Sequence, residues 1–273
     1  MSDVSVSLLL AKKTLHLQPE NFQSIQMKAL QNFGEYVLLI FRAIAIPERW
    51  SEFFKQTAKE IYKLGVDSIW IVVFISVFIG AVITMQISLN VSSPLVPTFT
   101  FGYVTREIIL LEFSSTIMCL ILAGKVGSNI ASEIGTMRVT EQIDALEIMG
   151  INSANYLIMP KIVAFMIFIP VLSILSMFFG IIGGYIIAFI SPNIITIADY
   201  ETGLRYWFIP FNIAYSIIKS VVFAFIISSI ASYFGYNVKG GALQVGKAST
   251  NSVVMSSVMI LTFDLILTQL LLT

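Results

Sequence analysis

Long apolar stretches alternate with short polar ones along this chain, and that pattern predicts most of its structure. A helix needs about 20 mostly apolar residues to cross a bilayer. Stretches free of Asp, Glu, Lys and Arg occupy residues 68–105, 113–124, 162–198, 220–238 and 248–263. The pattern predicts an all-α polytopic membrane protein with five transmembrane helices, at roughly 66–90, 101–124, 156–190, 207–236 and 251–272.

The third predicted span is too long for one straight crossing of a bilayer. Pro170 and the pair Gly183–Gly184 lie inside it, and both residue types interrupt helices. The sequence therefore predicts a kink or a break within this span. Gly180, Gly184 and Ala188 recur every four residues there, a spacing typical of close packing between helices.

The region before the first span, residues 21–64, has a different pattern. Apolar residues recur at helical spacing, and Lys residues lie between them in the second half of the region. Its most apolar piece, 36–46, is too short to span, so we expect amphipathic helices in the membrane interface, interrupted at Pro47. A soluble helical hairpin packed on the membrane domain or on a soluble partner is the alternative. The predicted division is an N-terminal region, 1–64, and a transmembrane domain, 65–273.

Composition agrees with a membrane location and argues against several other classes of protein. Hydrophobic residues make up 57% of the 273 residues and charged residues 12%, against about 25% charged residues in an ordinary soluble domain. The formal net charge is zero, which gives no reason to expect a nucleic-acid partner. The single cysteine, Cys119, excludes an internal disulfide, and with a single histidine, His16, we expect no metal site.

The distribution of Lys and Arg predicts the orientation of the chain. Cytoplasmic loops are enriched in these residues. With the N-terminus in the cytoplasm, every Lys and Arg falls on the cytoplasmic side except Arg106, Arg205 and Lys219. Five spans then place the C-terminus on the opposite side of the membrane.

A charged loop, residues 123–152, separates the second and third predicted spans. Its charge density is typical of a loop that contacts a soluble partner. Periodicity predicts a helix from Thr136 to Met149, and Gly150 suits the left-handed residue that ends a helix. At 100° per residue, one face carries Val139, Ile143 and Leu146, and the opposite face carries Met137, Glu141, Asp144 and Ile148. Such a helix can lie between the membrane helices and a soluble partner, whereas a solvated loop without specific contacts is the alternative.

The sequence of this loop resembles the signature loop of the MlaE (YrbE) family of ABC-transporter permeases. The matching residues are Gly124, Gly127, Glu133, Gly135, Met137, Glu141, Gln142, Asp144 and Leu146. The resemblance extends over roughly 65–273 and includes the pair Arg106–Glu107 and the segments 218–224 and 240–254. Where the family follows the Arg-Glu pair with Leu-Gly-Pro, this chain has Ile108–Ile109–Leu110. The resemblance therefore does not predict the local shape of the second span.

This resemblance implies a function. The family moves phospholipids or related lipids between membranes, so we expect a permease subunit in the bacterial inner membrane with a periplasmic C-terminus. The implied partners are a second copy of the chain, two ABC ATPase subunits, a periplasmic MCE-type lipid-binding protein and the phospholipid itself. The charged loop would hold the coupling helix that contacts the ATPase. Its expected contact residues are Glu133, Met137, Arg138, Glu141, Gln142, Asp144 and Ile148.

One segment, GALQVGKA at 241–248, nearly spells a phosphate-binding loop. Ala248 stands where the Mg²⁺-binding hydroxyl is required, and no separate nucleotide-binding fold accompanies it. We therefore expect no cofactor in this chain, which is not itself an enzyme. ATP and Mg²⁺ would bind to the partner ATPase.

The outer half of the first span is the expected lipid contact. Ile83, Ile87, Asn90 and Val91 share one helical face that turns polar toward its outer end. In the family, an element matching Gly80 to Gln86 opens the part of this span that lines the lipid cavity. The expected cavity residues are Ile83, Gln86, Ile87, Asn90 and Val91. Ordinary packing or lipid-facing surface is the alternative for each of them.

Four charged residues in or near apolar spans form a predicted intramembrane cluster: Arg106, Glu107, Lys219 and Asp264. An unpaired charge at mid-membrane costs about 2.5–3.5 kcal/mol on insertion scales, so these residues should be paired. Lys219 lies about 18 Å from the outer end of its span and Asp264 about 20 Å from the inner end of its own, so the two could pair with each other or with Arg106–Glu107. The cluster either shapes a lipid path or only fixes helix register. Glu112 is a further acid without an evident partner.

Two other functions remain open from the sequence. An ion-coupled secondary transporter would use the intramembrane acids Glu107, Glu112 and Asp264, but no inverted repeat is visible and the charged loop has no role in it. A non-transporting membrane scaffold explains the loop but not the intramembrane charges. A co-purifying ATPase would separate the permease from both.

Overall fold

The computed structural model describes residues 19–46, 50–90, 96–192 and 195–272. Within these ranges all regular structure is helical. The α-helices are α1 (Pro19–Ala43), α2 (Trp50–Glu60), α3 (Asp67–Asn90), α4 (Phe99–Ile108), α5 (Met118–Leu122), α6 (Ser128–Val139), α7 (Gln142–Ile148), α8 (Ser153–Ile190), α9 (Ile197–Arg205), α10 (Phe211–Tyr236) and α11 (Ala242–Leu272). Three π-helical segments, Ile61–Val66, Ile109–Ile117 and Ala123–Gly127, connect successive α-helices end to end.

Among the residues that the structure describes, five helical runs are long and apolar enough to cross a membrane, which confirms the predicted all-α polytopic fold. They are span 1 (Trp50–Asn90), span 2 (Phe99–Val139), span 3 (Ser153–Ile190), span 4 (Phe211–Tyr236) and span 5 (Ala242–Leu271). Residues 140–152 join spans 2 and 3, and residues 237–241 join spans 4 and 5, at what we call the loop end of the bundle. The other connections, through 96–98 and through α9, lie at the opposite end.

The chain divides into two compact units, the first ending at Arg42 and the second beginning at Ala43. In the first unit, Phe33 and Phe41 are exposed on α1, as an amphipathic helix at a membrane interface requires. Whether this helix lies in the interface stays a prediction, and Pro47 lies outside the described residues. The expected boundary after residue 64 falls inside span 1, and the division into 1–64 and 65–273 also stays a prediction.

Span 3 is one uninterrupted helix of 38 residues, so of the predicted kink or break the break is wrong, and the kink stays a prediction. Pro160 and Pro170 both lie inside it. A proline removes only one backbone hydrogen bond from a helix, and two residues close to Pro170, Ile169 and Leu172, are completely buried. Packing against the neighbouring spans therefore holds the helix together through its prolines.

Spans 1 and 3 touch through their backbones. A Cβ atom on Gly80 would lie 1.9 Å from the carbonyl oxygen of Gly180, and one on Gly183 would lie 2.1 Å from the carbonyl oxygen of Val77. Only glycine allows so close an approach, which explains the small-residue stripe of span 3. The contact fixes the position of span 1, the helix that carries the expected lipid-contact residues.

Candidate functional site

A groove of about 350 Å³ lies between spans 1 and 2, toward the opposite end of the bundle. Span 1 lines it with Ile83, Gln86, Ile87 and Asn90, and span 2 lines it with Thr100, Phe101, Val104 and Ile108. Four of the five residues expected to line a lipid cavity therefore share one groove. The fifth, Val91, lies outside the described residues.

The groove is amphipathic along its length. Asn90 ends α3 and Thr100 lies in the first turn of α4, so polar side chains lie at the end of the groove nearest these helix ends, which we call its mouth. Gln86 follows one turn deeper, and the remaining lining is apolar. Among the described residues of the lining, none is ionisable. This arrangement can hold an apolar chain in its depth and hydrogen-bond a polar group at its mouth.

The charged loop forms a hairpin of two helices, so the single helix expected from Thr136 to Met149 is wrong. α6 ends at Val139, and Glu141 adopts a left-handed conformation with φ of 60°, after which α7 begins. A non-glycine residue rarely adopts this conformation, which helical periodicity cannot reveal. Gly150, with φ of 77°, takes the predicted left-handed position after the second helix.

Ion pairing closes the hairpin and changes the role of two expected contact residues. Arg138 Nη1 donates to Asp144 Oδ1 at 2.6 Å across the turn, and the Arg138 guanidinium lies 5.8 Å from the Tyr236 ring centroid. Asp144 is therefore a partner of Arg138 within the hairpin rather than an unpaired acid facing outward. These contacts hold α7 in a fixed direction relative to span 2.

The surface of the hairpin is apolar at the end of α7. Ile143 is completely buried against the bundle, whereas Ile148 is 87% exposed and Met149 is 65% exposed. Glu141 and Gln142 are exposed at the turn, at the other end of α7, and Met137 and Arg138 are half-buried. Met149 also lines a groove of about 700 Å³ shared with the first turns of α2. An exposed apolar surface of this kind indicates a site for a partner.

Sequence reasoning missed the residues that attach α7 to the bundle. Ser153 Oγ and Tyr236 Oη each donate to Glu147 Oε1 at 2.9 Å. Tyr236 ends span 4 and Ser153 begins span 3, so one carboxylate joins the hairpin to both spans. A contact between residues that are 89 positions apart leaves no periodic signal in the sequence.

Glu133, expected to contact an ATPase, contacts other helices of the bundle, and its contact with an ATPase stays a prediction. Its Oε2 atom accepts from Lys161 Nζ at 2.6 Å and lies 2.9 Å from Lys63 Nζ. The Lys161 side chain, 3% exposed, also donates to Glu60 Oε1 at 2.7 Å. These four residues, the Lys161 network, join spans 1, 2 and 3 at the loop end.

The predicted intramembrane cluster separates into two groups. Arg106, 2% exposed, pairs with Glu107 and also donates to the carbonyl oxygens of Leu204 at 2.7 Å and Tyr206 at 2.8 Å. The Asn212 amide donates to the other oxygen of Glu107 at 2.9 Å. Arg106 thus fixes the end of α9 and the chain that follows it.

The second group surrounds Lys219, whose side chain is completely buried in span 4. Its Nζ atom lies 2.6 Å from Asp264 Oδ1 and 3.4 Å from Glu112 Oε1. Thr116 Oγ1 donates to Asp264 Oδ1 at 2.7 Å. The pairing of Lys219 with Asp264 expected from depth is present, Glu112 joins it from the π-helical part of span 2, and Arg106–Glu107 stands apart.

A helical membrane bundle with an amphipathic groove toward one end and an exposed apolar surface at the other has the features of a transport permease. The chain belongs to the MlaE permease family, because the family model described as Permease MlaE matches residues 57–270.

Several similar proteins are named as probable ABC transporter permeases. A probable ABC transporter permease protein of Rickettsia bellii is 33% identical over 89% of this chain and 93% of its own length. One of Synechocystis is 32% identical over 74% of this chain and 76% of its own length. The chloroplast protein TRIGALACTOSYLDIACYLGLYCEROL 1 of Arabidopsis thaliana is 32% identical over 79% of this chain and 61% of its own length. The chain is thus an ABC transporter permease, a class that acts with ATPase subunits.

Proposed function

We propose that this chain is the membrane subunit of an ATP-driven lipid transporter and that lipid binds in the groove between spans 1 and 2. The groove carries the proposal, because its apolar depth and amide-bearing mouth match the two parts of a phospholipid. The Arabidopsis relative is named after a glycerolipid. Two copies of the chain, two ATPase subunits and a periplasmic MCE-type protein would form the complete transporter in the bacterial inner membrane.

In this proposal the hairpin binds the ATPase and the groove binds the lipid substrate. ATP binding would close the two ATPase subunits, displace α7 and squeeze the lipid from the cavity. The segment that resembles a phosphate-binding loop is helical from Ala242 onward, which agrees with ATP hydrolysis by a separate subunit.

The structure supports an ion-coupled transporter less well than an ATP-driven one. It needs intramembrane acids that can take up and release an ion. Glu107 is paired with Arg106, and Asp264 and Glu112 both face Lys219. Membership of a family of ABC permeases also favours ATP as the energy source.

Filling the groove tests the proposal. Ile87→Trp is expected to lower ATP-dependent lipid transfer at least about tenfold, because the larger side chain occupies the space of the acyl chain. Val82→Trp is the matched control, since Val82 lies on the same span with 58% of its surface exposed, outside the groove lining. Transfer is measured with fluorescent phospholipid in proteoliposomes that contain the permease and its ATPase. Equal transfer by the two variants would contradict a lipid site in this groove.

The proposed orientation is tested by cysteine labelling in a Cys119→Ser background. Thr98→Cys and Arg205→Cys, both at exposed positions, should react with an impermeant thiol reagent in intact spheroplasts. Gln142→Cys and Leu243→Cys, at the loop end, should react only after the membrane is opened. The reverse pattern would place the loop end in the periplasm and exclude ATPase docking there.

A further inference from the structure

The Lys161 network lies where three helices meet, and one buried carboxylate oxygen in it has no partner among the described residues. Glu60 and Lys63 lie within one turn of each other on span 1, Glu133 lies on span 2 and Lys161 lies on span 3. The other carboxylate oxygen of Glu60, Oε2, is buried and has no hydrogen-bond partner within the described part of the chain. Buried carboxylate oxygens are normally paired. The network therefore has one more acceptor than the present arrangement uses.

This spare acceptor lies within reach of a second arrangement. Residues three apart on a helix are neighbours, so Lys63 is close enough in sequence to pair with Glu60. In the present arrangement Lys63 lies instead 2.9 Å from Glu133 on span 2. Movement of the Lys63 side chain from Glu133 to Glu60 Oε2 would break the Lys63–Glu133 ion pair. Glu133 would keep Lys161 as its partner. Neither arrangement leaves a carboxylate without a cation.

Span 1 is irregular at this point. Lys63 lies in the π-helical segment Ile61–Val66, where the helix is wider than an α-helix. Lys125 Nζ of span 2 donates to the carbonyl oxygen of Asp67, directly after that segment. On the other side, Phe168 of span 3 fills the space beside Gly65, where a Cβ atom would lie 2.3 Å from the ring. Single π-helical turns within longer helices are frequent at functional sites.

The network also connects the two functional parts of the protein. Glu133 lies on α6, the helix that continues into the hairpin, so displacement of the hairpin moves Glu133. Lys63 lies on the helix whose far half lines the groove, about 30 Å away at 1.5 Å per residue. The Lys63–Glu133 pair is thus a direct link between the docking surface and the groove-lining helix.

We propose that Lys63 is a positioning residue that transmits movement of the hairpin to span 1 by exchanging its partner between Glu133 and Glu60, with Lys161 holding both acids in place. This inference rests on the proposed function, in which the hairpin carries the ATPase. It predicts that loss of the exchange uncouples ATP hydrolysis from events in the groove while the complex still assembles.

The test compares Lys63→Met with Arg205→Met in the permease purified with its ATPase. Lys63 is 37% exposed, so its removal is compatible with folding, and Arg205 belongs to an exposed pair with Glu201 outside the network. Lys63→Met is expected to leave ATP hydrolysis within about twofold of the parent and to lower lipid transferred per ATP at least about tenfold, as expected when a two-state link is lost. Arg205→Met should change neither quantity. The conservative variant Lys63→Arg, which keeps a cation able to pair with either acid, should retain most of the transfer.

A second readout separates this inference from the lipid proposal. A cysteine introduced by Gln86→Cys in a Cys119→Ser background reports access to the groove without any lipid transfer. In the parent, trapping the ATPase with ADP and vanadate should change the rate of thiol modification, and Lys63→Met should abolish that change. An unchanged response in Lys63→Met, or a proportional loss of hydrolysis and transfer, would overturn the inference. Absence of lipid transfer in the parent, with the nucleotide response intact, would overturn only the lipid proposal.

Discussion

Ile148→Asp is expected to weaken ATPase association about a hundredfold or more while the permease still inserts. Ile148 is 87% exposed at the tip of α7. Truncation of a central apolar contact at an interface costs about 2–4 kcal/mol, and a charge left unpaired in a dry groove adds to that cost. The same side chain makes little contact with the bundle, so the free energy of unfolding of the permease should change little.

The measurement is the ratio of ATPase to permease after purification through a tag on the permease. Leu243→Asp is the control, because Leu243 is 74% exposed at the same end but on a different connection. Reversal of the acids by Glu141→Lys with Asp144→Lys tests the same surface less cleanly, since Asp144 also holds the hairpin through Arg138. A normal ratio for Ile148→Asp would mean that α7 is not the docking element.

The second large effect concerns Lys219. Lys219→Ala removes a completely buried cation and leaves Asp264 and Glu112 without their common partner. Breaking a buried pair by removing one member costs about 3–5 kcal/mol. Asp264→Ala should be similarly harmful, and the double variant should be less harmed than the sum of the single variants by about 1–3 kcal/mol.

A double-mutant cycle measures this coupling by denaturant unfolding of the purified permease, with lipid transfer followed in parallel. Arg205→Ala with Glu201→Ala, an exposed pair at 4.0 Å, is the control and should change stability by less than about 0.5 kcal/mol. Strict additivity for Lys219 and Asp264 would contradict their pairing. Normal transfer by a variant that still folds would assign the pair to helix register alone.

The five spans could be predicted because hydrophobicity reports which residues can lie in lipid. The ends of the spans could not be predicted, because a helix continues past the apolar region wherever its polar residues form hydrogen bonds or ion pairs. Span 1 begins at Trp50 rather than at residue 66, and span 5 at Ala242 rather than at 251. The π-helical segments have no periodic signature either, although one of them begins at Ile109, where the family's Leu-Gly-Pro is replaced.

Sequence alone also predicts only some of the partners of the charged residues. Depth along two spans correctly brought Lys219 and Asp264 together, because both lie on regular helices. The carbonyl partners of Arg106 lie about 100 positions away in a connection without a regular pattern. Glu133 was assigned to a partner protein because the loop resembles a docking loop, whereas Lys161 and Lys63 already hold its carboxylate.

The groove residues were expected chiefly from the family resemblance. Helical spacing places Ile83, Ile87 and Asn90 on one face of span 1, but it does not show what that face meets. The facing residues of span 2, from Thr100 to Ile108, appear only when the two helices are placed side by side. The polar end of the groove could be predicted from Asn90. How far the groove extends between the two spans could not be predicted.

The most direct test of the account is lipid transfer by the purified complex under two energy sources. Proteoliposomes that contain the permease and its ATPase are supplied either with ATP or with a proton gradient alone, and movement of labelled phospholipid is followed. The account predicts transfer with ATP, loss of transfer when the ATPase cannot hydrolyse ATP, and none with the gradient. Transfer driven by the gradient alone, or none with ATP in an assembled and hydrolysing complex, would contradict it.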